Sequence, residues 1–293
     1  DAIRLSRYVH RSINRINATD DSAEVHAAYA DFVADCDALR SQLLPRDAGA
    51  AFAGRPLVVA PTPQLTALPW RQIAGHPTHP ANVTLAMSAS SWFNNARGHK
   101  SDQIAEGMQA GTAVVVGPGL MYETVDADLL ASMPNTTVLS GTEATSAAFK
   151  RVLTESGWVH VACHGRFRPD SPRFSSLELA DGPFTLFEVD SLRRVSEVVV
   201  LAACSSAKVA SVGGAELMGT APAFLAAGAS TVVAPISPVL DHETNDVMAQ
   251  FYRAVELGPA VAARAMDEAM VGGPPELVVT AASFQVLGAG RRK

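Results

Sequence analysis

Short apolar runs alternate with helical segments along most of the chain after position 55, and this alternation limits the possible folds more than any other feature. Runs such as Val198–Leu201 are continuously apolar, which is typical of strands buried on both faces of a parallel sheet. The predicted strands are Leu57–Ala60, Val83–Met87, Ala113–Val116, Thr137–Leu139, Trp158–Cys163, Val198–Ala203, Thr231–Ala234 and Phe284–Leu287. The predicted intervening helices are Asp126–Met133, Thr142–Glu155, Gly214–Ala227, Asp241–Glu256 and Pro259–Met270. The pattern predicts an α/β fold, with a mostly parallel sheet and helices on both of its faces.

Two amphipathic helices are predicted before this region, over Arg4–Ile16 and Ala23–Leu44. The first carries a basic stripe made of Arg4, Arg7, Arg11 and Arg15. Because these arginines are three or four residues apart, they share one face of the helix. That face is either a solvated surface, as most charge runs are, or a docking edge for an acidic regulatory partner.

The composition is that of a globular protein with few cysteines. The net charge of −6 gives no electrostatic reason to expect nucleic acid as a partner, and no apolar run is long enough to cross a membrane. Three cysteines without regular spacing argue against a disulfide framework and favour a reducing compartment, so we expect a cytoplasmic protein. The histidines form no spaced ligand set, so we expect neither a metal nor another cofactor. Because the chain begins with Asp1 rather than Met, we expect a further region upstream.

Two predicted strands run directly into reactive side chains. The strand that starts at Trp158 leads into His164, and the strand that starts at Val198 leads into Cys204. The gap between them has the length of one crossover connection, so the two strands are expected to be neighbours. Ligand sites in parallel sheets lie at the carboxyl ends of the strands, where these two side chains could face one cleft.

A histidine and a cysteine in one cleft can form a catalytic pair. The imidazole can take the thiol proton and later protonate the leaving amine. Backbone N–H groups must stabilise the tetrahedral oxyanion, and Gly165 and Cys204 are the predicted donors. Ala202, Ser205 and Ser206 are the predicted substrate-binding residues beside the nucleophile.

Other residues near these strand ends have competing interpretations. Cys36 and Cys163 are predicted core residues, and His160 is a rival general base that lies inside the sheet. The segment Val116–Gly119 lacks both the glycine-rich fingerprint and the lysine of a phosphate-binding loop, which favours a turn. Asp241 could orient His164, although its context favours a helix N-cap.

Several ordered motifs resemble those of the CHAT peptidases, which are relatives of caspases and separases. The segments that carry the resemblance are Leu68–Trp70, Ser88–Ser90, Val116–Gly119, Val159–Phe167, Ser175–Gly182, Val200–Ala207, Gly214–Gly219, Ala223–Ala229, Pro238–Asp241, Phe251–Tyr252 and Ser283–Gly288. The similarity therefore extends from about Arg55 to Ala289. Two positions depart from the family pattern, since Ser237 stands where the family often has Trp and Pro222 interrupts a helix.

The resemblance implies a caspase-like fold with His164 and Cys204 as the catalytic pair. It also implies three parts: an N-terminal helical segment over residues 1–45, a non-catalytic half over 55–157 and a catalytic half over 158–293. Some caspase relatives bind a basic side chain with an acidic residue two positions before the cysteine. That position is Ala202 here, so such a preference finds no support.

The sequence therefore predicts a cysteine endopeptidase that acts on a protein substrate, with an upstream helical-repeat domain or another regulatory partner and without membrane or nucleic-acid contacts. Two alternatives stay open. One is a catalytically silent, caspase-like interaction module, and the other is a cysteine-dependent amidase for small molecules.

Overall fold

The computed structural model describes residues 2–45, 55–98, 111–120, 135–166, 168, 171, 174–192, 194–202 and 216–288. Its helices are α1 Ala2–Ala18, α2 Ser22–Leu43, α3 Trp70–Ala74, α4 Ala89–Gly98, α5 Ser146–Glu155, α6 Leu186–Asp190, α7 Glu216–Ala226, α8 Asp241–Arg253, α9 Pro259–Met270 and α10 Pro275–Ser283. Its strands are β1 Leu57–Val59, β2 Val83–Leu85, β3 Thr112–Val116, β4 Thr136–Leu139, β5 Trp158–Ala162, β6 Gly165–Arg166, β7 Ser176–Leu179, β8 Gly182–Thr185, β9 Val198–Leu201, β10 Thr231–Pro235 and β11 Phe284–Gly288. No helix among these described residues is both long enough and apolar enough to span a membrane.

Eight strands form one sheet in the order β1-β2-β11-β10-β9-β5-β3-β4. Every neighbouring pair is parallel except β10 and β11, which are antiparallel. The predicted mostly parallel sheet with flanking helices and N-terminal helices is therefore confirmed. Strands β1 to β4 lie at the two edges, and the four central strands come from residues after 157.

Alternate residues of the central strands point to opposite faces of the sheet, as strand geometry requires. On one face, Val159, Val161 and Leu201 pack in a core with α1, α2, α5 and α7. On the other face, Trp158, Val200 and Ala202 pack in a second core with α8 and α9. Helix α10 contributes residues to both cores.

The structure corrects several local expectations. Helix α5 begins at Ser146 rather than at Thr142, because the Thr145 side chain caps it by accepting from the Ala148 N–H. Helix α8 begins at Asp241 itself, with Leu240 at the N-cap position. The predicted helix Asp126–Met133 lies outside the described residues.

The stretch from Gly165 to Pro183 has no strand pattern in the sequence, but it contains most of a second, three-stranded sheet. In that sheet β7 pairs antiparallel with both β6 and β8. Its strands have two to four residues each, which is too short for a periodic apolar pattern to emerge from the sequence. The prolines in this stretch also favoured a loop, because they are rare inside central strands.

Candidate active site

His164 follows β5 by two residues, at the carboxyl edge of the eight-stranded sheet. Its side chain is partly exposed, while the β5 residues before it are buried. The backbone is held in place by the three-stranded sheet, because the Glu178 N–H donates to the His164 carbonyl at 2.8 Å. The structure therefore places the predicted general base at the rim of the sheet, where a ligand can reach it.

The imidazole of His164 lies against the turn that follows β3. Its Nε2 is 3.3 Å from the Gly119 carbonyl oxygen. A carbonyl can only accept, so Nε2 is the donor in this contact, and a neutral ring in that tautomer has its lone pair on Nδ1. A neutral imidazole held in this tautomer can take a proton from a thiol through Nδ1.

The turn at Val116–Gly119 brings that carbonyl close to the histidine. The Gly117 N–H donates to the Ala162 carbonyl at 2.7 Å, which ties the turn to the end of β5. A Cβ at position 117 would lie 2.5 Å from the Cβ of Cys163 and 2.6 Å from the Glu178 carbonyl oxygen. Gly119 has a φ of +80°, which side-chain-bearing residues rarely adopt.

The sequence predicted a turn here but missed its contact with His164. One sequence signal pointed to this contact, because the segment, like His164, follows an apolar strand. The structure adds that β3, which precedes the turn, is the neighbour of β5 in the sheet.

The two rivals to the catalytic residues are both buried. His160 is fully buried, and its Nδ1 is hydrogen-bonded to the Tyr252 hydroxyl at 2.7 Å. Cys163 is also fully buried, and burial raises the pKa of its thiol to about 12. A thiol with such a pKa stays protonated at neutral pH and is a poor nucleophile. Cys36 is buried as well, so both predicted core cysteines are confirmed as core residues.

The strand that leads to Cys204 is the direct neighbour of β5, as predicted. In this parallel pair Trp158 faces Val198, and the pairing continues to Val161 and Leu201, always with an offset of 40 residues. Beyond the last paired residues, the Ala202 N–H donates to the Val161 carbonyl at 2.8 Å. Ala202 itself is buried in the second core. Cys204, Ser205 and Ser206 lie outside the described residues.

Gly165 begins β6, directly after His164. Opposite residues in an antiparallel pair alternate between hydrogen-bonded and non-hydrogen-bonded positions. Because Glu178 bonds to His164 and Gly165 faces Leu177, the pair of Gly165 and Leu177 occupies a non-hydrogen-bonded position. The Gly165 N–H is therefore directed away from β7.

The structure explains one departure from the family pattern and corrects the other, because the expected interruption of a helix at Pro222 does not occur. Ser237 is buried, and its hydroxyl lies 3.0 Å from the Ser283 hydroxyl, so a small hydrogen-bonding side chain occupies this position. Helix α7 runs through Pro222 without ending there. Across the described residues there is no group of three or more histidine, cysteine or acidic side chains that could hold a metal ion.

Comparisons with known proteins agree with this architecture. The CHAT domain family matches residues 33–273. Two crystal structures of the Saccharomyces cerevisiae separase–securin complex have a similar fold, each at 12% sequence identity. One has a TM-score of 0.57 over 92% of this chain, and the other has 0.53 over 76%. This chain spans only 17% and 14% of those two structures' chains, and no curated protein sequence matches it. The chain has a caspase-like fold and belongs to the CHAT domain family.

Proposed function

We propose that this protein is a cysteine endopeptidase in which Cys204 is the nucleophile and His164 is the general acid and base. The observation that carries the proposal is the register between β5 and β9. The register is constant over these pairs, and its continuation by three residues beyond Val161 and Leu201 would bring position 164 opposite position 204. Neighbouring strands lie about 4.8 Å apart, which is within the combined reach of a histidine and a cysteine side chain.

The direction of the side chains supports the same pairing. Trp158 and His160 point to the face that α8 and α9 cover, and so do Val200 and Ala202. In an extended chain, each second residue returns to the same face. His164 is four residues after His160 and follows a bend at Cys163, and Cys204 is two residues after Ala202. We infer that both side chains keep this parity and face the same side of the sheet.

The proposed reaction uses the tautomer that the Gly119 carbonyl selects. Nδ1 of His164 takes the proton of the Cys204 thiol, and the thiolate attacks the scissile carbonyl carbon. The negative oxygen of the tetrahedral intermediate accepts from the N–H groups of Gly165 and Cys204. The imidazolium then protonates the leaving amine, the C–N bond breaks, and water hydrolyses the thioester to regenerate the thiol.

Gly165 is a suitable donor for the oxyanion because β7 does not use its N–H. We propose Ser205 and Ser206 as pocket residues next to the nucleophile, and Ala202 as the apolar base of the pocket. The catalytic thiol must be reduced, so a reducing compartment such as the cytoplasm would suit the proposed activity. The proposed substrate is a protein.

The test compares wild-type protein with Cys204→Ala and Cys163→Ala in the digestion of a peptide library, with product identification by mass spectrometry. We expect Cys204→Ala to abolish cleavage and Cys163→Ala to retain it. A thiol-directed probe should label Cys204 in the folded protein before Cys36 or Cys163.

Three results would contradict the proposal. Preferential labelling of Cys163 would show that the wrong cysteine was chosen. Hydrolysis of small amides without peptide cleavage would indicate an amidase. If the folded wild-type protein cleaves neither peptides nor small amides, and binds a partner as tightly as Cys204→Ala does, the result would indicate an interaction module.

A further inference from the structure

The outward face of α1 carries an unusual distribution of charge. At 3.6 residues per turn, Arg4, Arg7 and Arg11 lie in the middle of a surface about 140° wide, with Ile3 and Tyr8 near its margins. All five side chains are exposed. The opposite side of the helix is buried against α2 through Val9, Ile13 and Ile16 among others.

Three of the arginines on α1 have no ionic partner among the described residues. Arg15 forms an ion pair with Asp31 of α2 at 2.7 Å, and its Nε is 4.0 Å from Glu24. By contrast, Arg4, Arg7 and Arg11 make no ion pair within the part of the chain that the structure describes.

Helix α1 is positively charged, whereas the rest of the protein has a net negative charge. The whole chain carries −6. Helix α1 has four arginines and no acidic residue, a charge of +4, which leaves −10 for the remaining residues. An excess of carboxylates is therefore present in the chain, yet none of the described ones neutralises the central arginines.

We propose that the exposed face of α1, defined by Ile3, Arg4, Arg7, Tyr8 and Arg11, is a docking site for an acidic polypeptide segment of a partner protein. Charge complementarity supplies the attraction and steers the encounter. Ile3, 46% exposed, and Tyr8, 44% exposed, supply apolar contact area on either side of the arginines. The occupant that fits is a short acidic segment with apolar residues at its margins.

Other polyanionic partners fit this face less well. Helix α1 is about 25 Å long, so a nucleic acid would extend beyond it and meet the acidic remainder of the protein. A membrane-bound helix inserts its apolar face into the lipid, but the apolar face of α1 is already buried against α2. A short peptide avoids both conflicts because it contacts α1 alone.

The C-terminal end of α1 lies beside the edge of the sheet that holds His164. Asn17 donates from Nδ2 to the Pro238 carbonyl at 2.9 Å. Pro238 follows β10, the neighbour of β9, at the carboxyl edge of the sheet. A segment docked on α1 would therefore extend from this rim, which suits a partner that regulates the site. The docking itself does not depend on the proposed catalysis.

The experiment measures binding of a fluorescein-labelled synthetic peptide that is rich in Glu, Asp and Leu by fluorescence anisotropy. We expect wild-type protein to bind it, and Arg7→Glu/Arg11→Glu to lose affinity by about tenfold, because two attractive charges become repulsive. Raising the salt concentration from about 50 to about 300 mM should weaken wild-type binding, since exposed charges are screened.

The matched control is Arg151→Glu/Arg253→Glu, which changes the net charge equally with exposed arginines of α5 and α8. It should bind the peptide as wild type does. A neutral variant, Arg7→Gln/Arg11→Gln, tests the same face if the charge reversal unfolds the protein, which circular dichroism would reveal.

Equal affinities of wild type and both α1 variants would overturn the proposal, and so would an equal loss in the control. Stronger α1-dependent binding of phosphatidylserine vesicles or of a DNA oligonucleotide than of the peptide would replace it with another class of partner. Each readout is a binding constant, so the result does not depend on whether Cys204 is catalytic.

Discussion

At the scale of single residues, two histidines of the same strand region have opposite environments. His160 is fully buried and bonded to the Tyr252 hydroxyl, whereas His164 is partly exposed and bonded to a backbone carbonyl at the rim. Only the second can meet a substrate without opening the core. Position within the sheet therefore distinguishes a structural histidine from a candidate catalytic one.

We expect His164→Gln to lower the rate of peptide cleavage by about 10²–10⁴-fold, because it removes the general acid and base. The buried bond of His160 gives a matched control. Tyr252→Phe removes that bond and should lower the free energy of unfolding by roughly 1–3 kcal/mol with little effect on the rate. Rate assays and urea denaturation of both variants distinguish the roles, and an exchange of the two effects would mean that His160 is the base.

The buried thiol of Cys163 predicts a dependence of stability on alkaline pH. Burial raises its pKa from the ordinary value of 9.0 to about 12. Between these values the unfolded chain loses the proton while the folded chain keeps it, so the unfolded state binds fewer protons and stability falls as pH rises.

The expected contribution is a loss of about 1.4 kcal/mol for each pH unit between about 9 and 12. Cys163→Ala should therefore show a smaller alkaline loss of unfolding free energy than wild type, measured by urea denaturation across this range. Identical slopes for the two proteins would show that the thiol does not titrate differently on folding.

At the scale of elements, the turn after β3 connects the core to the candidate site. Gly117 packs closely against the Cys163 side chain and the Glu178 carbonyl, and Gly119 presents its carbonyl to His164. The orientation of the imidazole therefore depends on a backbone path that has no room for a side chain at position 117.

Gly117→Ala should lower the free energy of unfolding by about 1–3 kcal/mol, because the new Cβ forces the turn away from Cys163. It should also lower kcat more than it raises KM, since the displaced Gly119 carbonyl no longer holds the ring of His164. Gly141→Ala is the control, because position 141 has a positive φ but open space around it. Equal kcat in the two variants would show that the turn does not position the histidine.

The long, continuous apolar strands could be predicted from the sequence because burial on both faces leaves a clear pattern. The neighbouring positions of β5 and β9 followed from the length of the crossover between them. The short hairpin of β7 and β8 could not be predicted in this way, since four residues per strand carry too little periodicity. Helix α10 begins with proline, which is common at the first position of a helix, but its nine residues are too few for a clear periodic pattern.

For the candidate site, the sequence indicated which residues follow strand ends but not which residues contact them. Spacing along the chain identified His164 as a residue at a strand end, but the Gly119 carbonyl that holds its ring is 45 residues away in sequence. The fixed 40-residue offset between paired residues of β5 and β9 could not be predicted either, because the length of a crossover does not determine which residues face each other.

At the scale of the whole molecule, the early and late parts of the chain are joined in one sheet and by one buried ion pair. The Arg71 guanidinium of α3 forms a bidentate pair with Asp267 of α9, at 2.5 and 3.0 Å. It also donates to the Phe284 and Ala281 carbonyls, and Gln72 donates to Asp267 at 2.9 Å. Both charged side chains are buried, so each depends on the other for compensation of its lost hydration.

We expect Arg71→Met and Asp267→Leu to lower the free energy of unfolding by about 3–5 kcal/mol each, because each leaves an uncompensated buried charge. The double variant should lose much less than the sum of the two, since it leaves neither charge behind. Urea denaturation of the four proteins gives the coupling energy of the pair. Additive losses would show that the ion pair does not couple the two parts of the chain, and that the shared sheet and cores alone hold them together.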